Sequence, residues 1–127
     1  MKYTPWSKRD PAKNYFQLPN EIFLLDLSPG ALAVYSYLIC CENRQTYQCW
    51  PSYKNIGNAV RMSANTVRKY VCELEERQLI STENTTVTTR DGLKRNGNLF
   101  YTILPIQLAL DQFYEQQLAQ MDVTSER

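Results

Sequence analysis

Residues 50–80, WPSYKNIGNAVRMSANTVRKYVCELEERQLI, carry two short runs of apolar residues at helical spacing. Tyr53, Ile56 and Val60 recur every three or four positions, which puts them on one face of a helix. Met62 follows in a tight turn. Val67, Tyr70, Val71 and Leu74 then resume the same period in a second helix. Each helix has a start signal. Ser52 follows Pro51, and Ser63 precedes Ala64-Asn65-Thr66. A serine there can accept a hydrogen bond from an otherwise unpaired first-turn N–H. The remaining front of the second helix is polar and basic, with Asn65, Thr66, Arg68 and Lys69 near its N-terminal end. Two helices so related form the helix-turn-helix arrangement whose second helix enters a DNA major groove.

The sequence downstream extends the pattern. Leu79-Ile80 closes the second helix and opens a β-branched run, Thr85-Thr86-Val87-Thr88-Thr89. Arg90-Asp91-Gly92-Leu93-Lys94-Arg95-Asn96-Gly97 comes next, then the apolar run Leu99-Phe100-Tyr101-Thr102-Ile103-Leu104. Asp-Gly and Asn-Gly between strand-like runs mark a hairpin. The expected fold is therefore mainly α with a small β-hairpin: a winged helix-turn-helix with an extra C-terminal helix.

Several segments resemble a known group. Asn14-Tyr15-Phe16-Gln17-Leu18-Pro19-Asn20-Glu21-Ile22-Phe23, and Leu27-Ser28-Pro29 with Ala33-Val34-Tyr35-Ser36-Tyr37-Leu38, look like the opening of winged-helix proteins of bacterial plasmids, phages and conjugative elements. In that group the motif reads Trp/Phe-Pro-Ser, an Ile in the first helix, Ser-x-x-Thr-Val in the second, and Leu-Glu then Leu-Ile at its end. Here these are Trp50-Pro51-Ser52, Ile56, Ser63-Ala64-Asn65-Thr66-Val67, Leu74-Glu75 and Leu79-Ile80. The chain is also similar to the N-terminal domains of plasmid replication initiators. The resemblance covers roughly residues 14–104 and implies DNA binding. The group's usual glycines are replaced by Arg61 in the turn and Gln78 before the closing Leu-Ile, so both corners are expected to be shaped differently.

The 127 residues are the size of one domain, and 43% hydrophobic content is enough for a core. The net charge is only +1, but it is segregated. Residues 1–14 carry +3, 15–43 carry −3, 44–101 carry +4 and 102–127 carry −3. Basic charge thus gathers in the N-terminal arm and around the motif and wing, as a groove-facing side requires. The four cysteines, Cys40, Cys41, Cys49 and Cys72, have no paired C-x-x-C spacing, and the chain has no histidine. Reduced thiols in a cytoplasmic protein fit better than a metal site or disulfides, and no cofactor is expected. No signal peptide or membrane-spanning run is read.

The boundaries expected are an irregular basic arm at 1–15, the winged domain at 16–104, a C-terminal helix at 105–121 and a frayed tail at 122–127. The arm, with Lys2, Lys8, Arg9 and Lys13 among Tyr3, Pro5, Trp6 and Pro11, is either a minor-groove reader or a solvated tail. Phe16 to Leu25 reads as a strand or turn, then a small helix. Ser28 and Pro29 suit the N-cap and first position of a scaffold helix that buries Leu32, Tyr35, Leu38 and Ile39 and ends near Asn43. Gln45-Thr46-Tyr47-Gln48 is a polar connector. Glu73, Glu75, Glu76 and Arg77 read as a solvated helix face, with Lys69–Glu73 and Glu73–Arg77 pairs. With no histidine, Gly-rich phosphate loop or nucleophile elbow, an enzyme is not expected.

The expected function is sequence-specific binding of double-stranded DNA. Asn65, Thr66 and Arg68 would contact bases, since Asn pairs with adenine and Arg with guanine. Ser52, Tyr53, Lys54 and Lys69 would meet phosphates, with Arg90, Lys94 and Arg95 of the wing. The role is transcription regulation or replication control on a mobile element. The rival is a winged helix used for protein–protein interaction in replisome assembly. In the last helix Ile106, Leu110, Phe113, Leu118 and Met121 form an apolar stripe, with Tyr114 beside it. It either packs across the domain or, as favoured here, joins a homodimer.

Overall fold

The computed structural model describes residues 15–88, 90, 92 and 94–125. After a 3₁₀ turn at Asn20–Leu24, the elements are α1 (Pro29–Cys41), β1 (Gln48–Cys49), α2 (Tyr53–Val60), α3 (Ala64–Glu76), β2 (Ile80–Thr88), β3 (Lys94–Ile103) and α4 (Ile106–Ser125). The winged helix-turn-helix expected from the sequence is the fold observed. The N-terminal arm lies outside the described residues except for Tyr15, whose carbonyl accepts from the Arg44 guanidinium at 2.6 Å.

Helix starts follow the local chemistry. Ser28, Ser52 and Ser63 each cap a helix, accepting from the N–H three residues on (Ala31, Asn55 and Thr66). The apolar faces converge behind these caps. Ala31, Val34, Tyr35 and Leu38 of α1 meet Ile56 of α2, Val67, Val71 and Leu74 of α3, Leu79 of the turn after it, and Ile80 and Tyr101 of the sheet in one buried cluster. Ile22 and Leu25 close it from the 3₁₀ turn. Leu32, expected in the buried face of α1, is only partly buried, and Ala31 and Val34 take the inner positions. One glycine is dictated by a close approach: a Cβ on Gly57 would stand 2.3 Å from the Met62 carbonyl oxygen.

The two corners expected to differ keep the left-handed conformation without glycine. Arg61 has φ 62° and Gln78 φ 59°. Both close a Schellman-type turn. Met62 N–H reaches back to the Gly57 carbonyl at 2.9 Å, and Leu79 N–H to that of Leu74 at 3.0 Å. These bonds hold the geometry against the Cβ penalty of a non-glycine residue, which is roughly 1–2 kcal/mol.

The hairpin is part of a three-stranded antiparallel sheet in the order β1-β3-β2. Residues 45–48 are thus more than a connector: Gln48 pairs with Thr102 and Cys49 with Tyr101. Along the wing Ile80 lies opposite Ile103 and Asn84 opposite Leu99, and the register shifts before Thr86 meets Asn96. Alternation could not reveal a two-residue strand. It exists because β3 offers a free edge, and α1 ends at Cys41, two residues earlier than expected, so the chain turns back through the Asn43–Gln48 bridge.

The last helix divides in function along its length. Ala109 and Leu110 are buried in the domain core, and Ile106 and Phe113 pack against it. Arg77 at the end of α3 donates to the Leu25 carbonyl and lies 5.4 Å from the centre of the Phe113 ring. Gln112 donates to the Glu76 carbonyl at 3.0 Å. Leu118 and Met121 are 60% and 66% exposed. Ile106, Leu110 and Phe113, assigned from the sequence to a dimer surface, therefore serve the domain's own core. The expected frayed tail is helical as far as Ser125, and residues 126 and 127 lie outside the described residues. No helix among the described residues is long and apolar enough to cross a membrane.

Candidate nucleic-acid interface

Helix α3 buries Val67, Val71 and Leu74, which turns the opposite side outward. Asn65, Arg68, Lys69 and Cys72 are exposed there, and Thr66 is half-buried. Spacings of three and four place Asn65, Arg68, Lys69 and Cys72 on one strip of the helix. Lys69 Nζ lies 5.8 Å from the centre of the Tyr70 ring. Tyr70 in turn packs over Gly30, where a Cβ would come within 2.2 Å of the ring. That approach draws α3 close to the start of α1.

Thr66 is less free than its neighbours. Its N–H donates to Ser63 Oγ at 3.2 Å, and the two hydroxyls are 2.9 Å apart. Ser52 is committed in the same way, accepting from Asn55 N–H at 3.1 Å. Tyr53 is half-buried at the α2–α3 seam. Burial pushes its hydroxyl pKa up, the nearby Cys72 adds to this, and the Arg68 guanidinium opposes it. Lys54 is fully on the outer side of α2.

In the wing, Arg90 is exposed at the tip and Gly92 has φ 75°. Lys94 pairs with Thr88 and Arg95 with Val87 along the strands. The side chains of Lys94 and Arg95 lie outside the described residues.

One pairing escaped the sequence reading. Trp50, 58% exposed, stacks on Phe100 with ring centres 5.5 Å apart. This joins the entry of α2 to the middle of β3 and so fixes the wing against the motif. The Trp50-Pro51-Ser52 spelling marks a helix start and a family resemblance, and neither points to a ring stack with Phe100.

Glu75 and Glu76 are exposed as expected of a solvated face, but Glu73 is half-buried and tied to α1. Ser28 Oγ donates to Glu73 Oε1 at 2.9 Å, and Ser28 N–H donates to Oε2 at 3.3 Å. Thr82 Oγ1 donates to Glu75 Oε1. The Glu73 carboxylate points back toward α1, Glu75 stays exposed while bonding to β2, and Glu76 is exposed at the C-terminal end of the outer strip, whose N-terminal part carries Asn65, Arg68 and Lys69.

The cysteines are free thiols; Cys40, Cys41 and Cys72 are exposed. Cys49 is buried, donates to the Leu38 carbonyl at 3.5 Å, and has its pKa pushed up by burial to about 12. Such a thiol is a poor nucleophile and metal ligand at neutral pH. No group of three or more potential metal-ligating His, Cys, Asp or Glu residues occurs among the described residues.

Residues 25–80 match the family model of a helix-turn-helix domain. Among solved structures, the chain is similar to a possible transcriptional regulator from Methanosarcina mazei Go1, at 14% identity over 80% of this chain and 79% of that one, with a TM-score of 0.53. It is also similar to S. aureus MepR, solved in complex with DNA, at 13% identity over 84% and 79% of the two chains, TM-score 0.46. Bordetella bronchiseptica BpsR matches at 20% identity over 81% and 67%, TM-score 0.44. No curated protein matches the sequence. At these identities the likeness to the solved structures is one of fold.

Proposed function

We propose that this chain binds duplex DNA in a sequence-specific manner and regulates transcription. The observation that carries the reading is the outer strip of α3. Asn65, Arg68 and Lys69 are exposed together at the N-terminal end of a helix whose inner face is fixed in the core and whose Glu73 carboxylate is bonded back to Ser28. Asn65 and Arg68 are assigned to base edges and Lys69 to phosphate. Thr66, bonded to Ser63, adds a base contact through its methyl or remaining hydroxyl capacity. Lys54 on α2 and Arg90, Lys94 and Arg95 on the wing are assigned to the backbone, with Ser52 and Tyr53 beside them. Hydroxyls that cap or pack can still take a phosphate oxygen.

Replication control on a bacterial plasmid or phage is the second reading. It is favoured by the Trp50-Pro51-Ser52 and Ser63-Ala64-Asn65-Thr66-Val67 spellings, which are similar to those of mobile-element proteins. Either role places the chain in the cytoplasm beside its DNA. A single winged helix covers few base pairs, so two copies reading two half-sites are assigned. The exposed part of α4, with Tyr114, Leu118 and Met121, is the surface for that pairing.

Titration of a mixed duplex pool at low and moderate salt tests the reading. Affinity should fall steeply, each neutralised phosphate adding about −0.9 to the slope of log K against log salt. Absence of binding at low salt would overturn it and favour the protein-interaction rival.

A further inference from the structure

A cavity of about 440 Å³ lies between the C-terminal end of α1, the exit of β3 and the start of α4, on different elements from the outer strip of α3. Tyr35 and Ile39 line it from α1, Ile103 and Ile106 from the strand exit and α4, and Tyr47 from the loop before β1. Its size falls within the range of small-molecule sites, which are mostly apolar with a few placed polar groups. Gln17 adds an amide, and the one charged residue of the lining is Glu42. It lines the cavity, and its Oε2 is shut off from solvent with no hydrogen-bond partner.

An unpaired buried carboxylate oxygen is costly, and native structures leave few of them. Burial raises the Glu42 pKa, and Arg44 opposes the rise. Arg44 itself is directed to the Tyr15 carbonyl. The surroundings also count against an anion. Tyr35 and Cys49 both lie within the electrostatic reach of Glu42, and burial pushes each to about 12.

We propose that this cavity is a binding site for a small ligand with an apolar, aromatic-sized body and one cationic nitrogen, which pairs with the Glu42 carboxylate. The body would lie among Ile39, Ile103 and Ile106, and the ammonium would pair with the Glu42 carboxylate at the cavity wall. The site does not depend on the DNA-binding reading, and either can fail alone.

Three matched probes test it on the full chain: tryptamine, its neutral counterpart tryptophol, and indoleacetate. Calorimetric titration should show tryptamine binding at least about tenfold more tightly than tryptophol, the contribution of one charge-assisted hydrogen bond. Indoleacetate should bind least. In Glu42→Gln the advantage of tryptamine over tryptophol should vanish. Ile106→Phe, which narrows the cavity, should weaken both. Methyl NMR of the unmodified protein gives a readout that needs no variant: tryptamine should shift Ile39, Ile103 and Ile106 before other isoleucines. Equal binding of tryptamine and tryptophol, an amine advantage that survives Glu42→Gln, or unmoved Ile39, Ile103 and Ile106 methyls would each overturn the proposal. So would failure of tryptamine to bind.

Discussion

Ser28 and Glu73 hold one another across the domain. The Ser28 hydroxyl accepts from Ala31 N–H at 3.3 Å, capping α1, and donates to Glu73 Oε1 at 2.9 Å. One oxygen thereby starts the scaffold helix and ties it to the last turn of α3. Glu73→Ala should loosen that tie and lower stability by roughly 1–2 kcal/mol, since a bond to a charged group is lost. Glu73→Gln should recover part of it. Urea denaturation of the three proteins is the measurement. A loss under about 0.5 kcal/mol, as for an exposed helix ion pair, would instead support the solvated-face reading.

Gln78 holds a left-handed conformation, with φ 59°, at the turn that ends α3. Its side chain is exposed, so little is lost by removing it. Gln78→Gly should raise stability by about 0.5–1 kcal/mol, because glycine adopts that conformation without the Cβ penalty. A thermal melt showing a lower transition temperature would contradict this.

Tyr35 and Cys49 are each pushed by burial to about 12, from 10.0 and 9.0. Burial also raises Tyr101. In all three the folded state favours the neutral, protonated form. Their contribution is therefore complete below the unfolded values, under about pH 9, and is lost as pH rises toward 12. The urea midpoint should fall steadily above about pH 9. Tyr101 also buries a hydroxyl with no partner. Tyr101→Phe should stabilise the protein by about 1 kcal/mol at neutral pH and make the alkaline fall shallower.

The two halves of α4 should respond differently to charge. Leu110 is 7% exposed and belongs to the core, so Leu110→Asp should unfold the domain or cost several kcal/mol. Leu118→Asp with Met121→Asp alters residues that are 60% and 66% exposed and should leave the fold intact. If α4 joins two copies, that double variant should sediment as a monomer while the parent is a dimer at micromolar concentration. Circular dichroism separates unfolding from dissociation. A monomeric parent would remove the pairing proposal.

Base reading and backbone holding should separate on the interface. Arg68→Ala should cost roughly 1–3 kcal/mol on the preferred sequence and narrow the gap to random DNA. Lys94→Ala should weaken all sequences about equally and make the salt slope shallower by about one unit. Selection of bound sequences from a random pool, followed by titration, decides this. A change of preference from Lys94→Ala alone would reverse the assignment.

Local signals in the sequence were enough for the winged helix-turn-helix. Serine caps, period-four apolar runs and Asp-Gly are each set by residues close along the chain. The partition of α3 into a core face and an outer polar strip was legible for the same reason. Contacts between distant segments were not. That Glu73 turns inward depends on where Ser28 comes to lie, and helix periodicity reports only that its side is polar. That Arg61 and Gln78 keep a glycine's conformation depends on the backbone bonds that close each corner. The stripe on α4 has one period throughout, yet Leu110 is buried and Leu118 is not, because the body it packs against ends partway along the helix. The two-residue β1, the Trp50–Phe100 stack and the cavity at Glu42 likewise arise from packing. A one-dimensional pattern encodes which face is apolar, and the tertiary fold decides what that face meets.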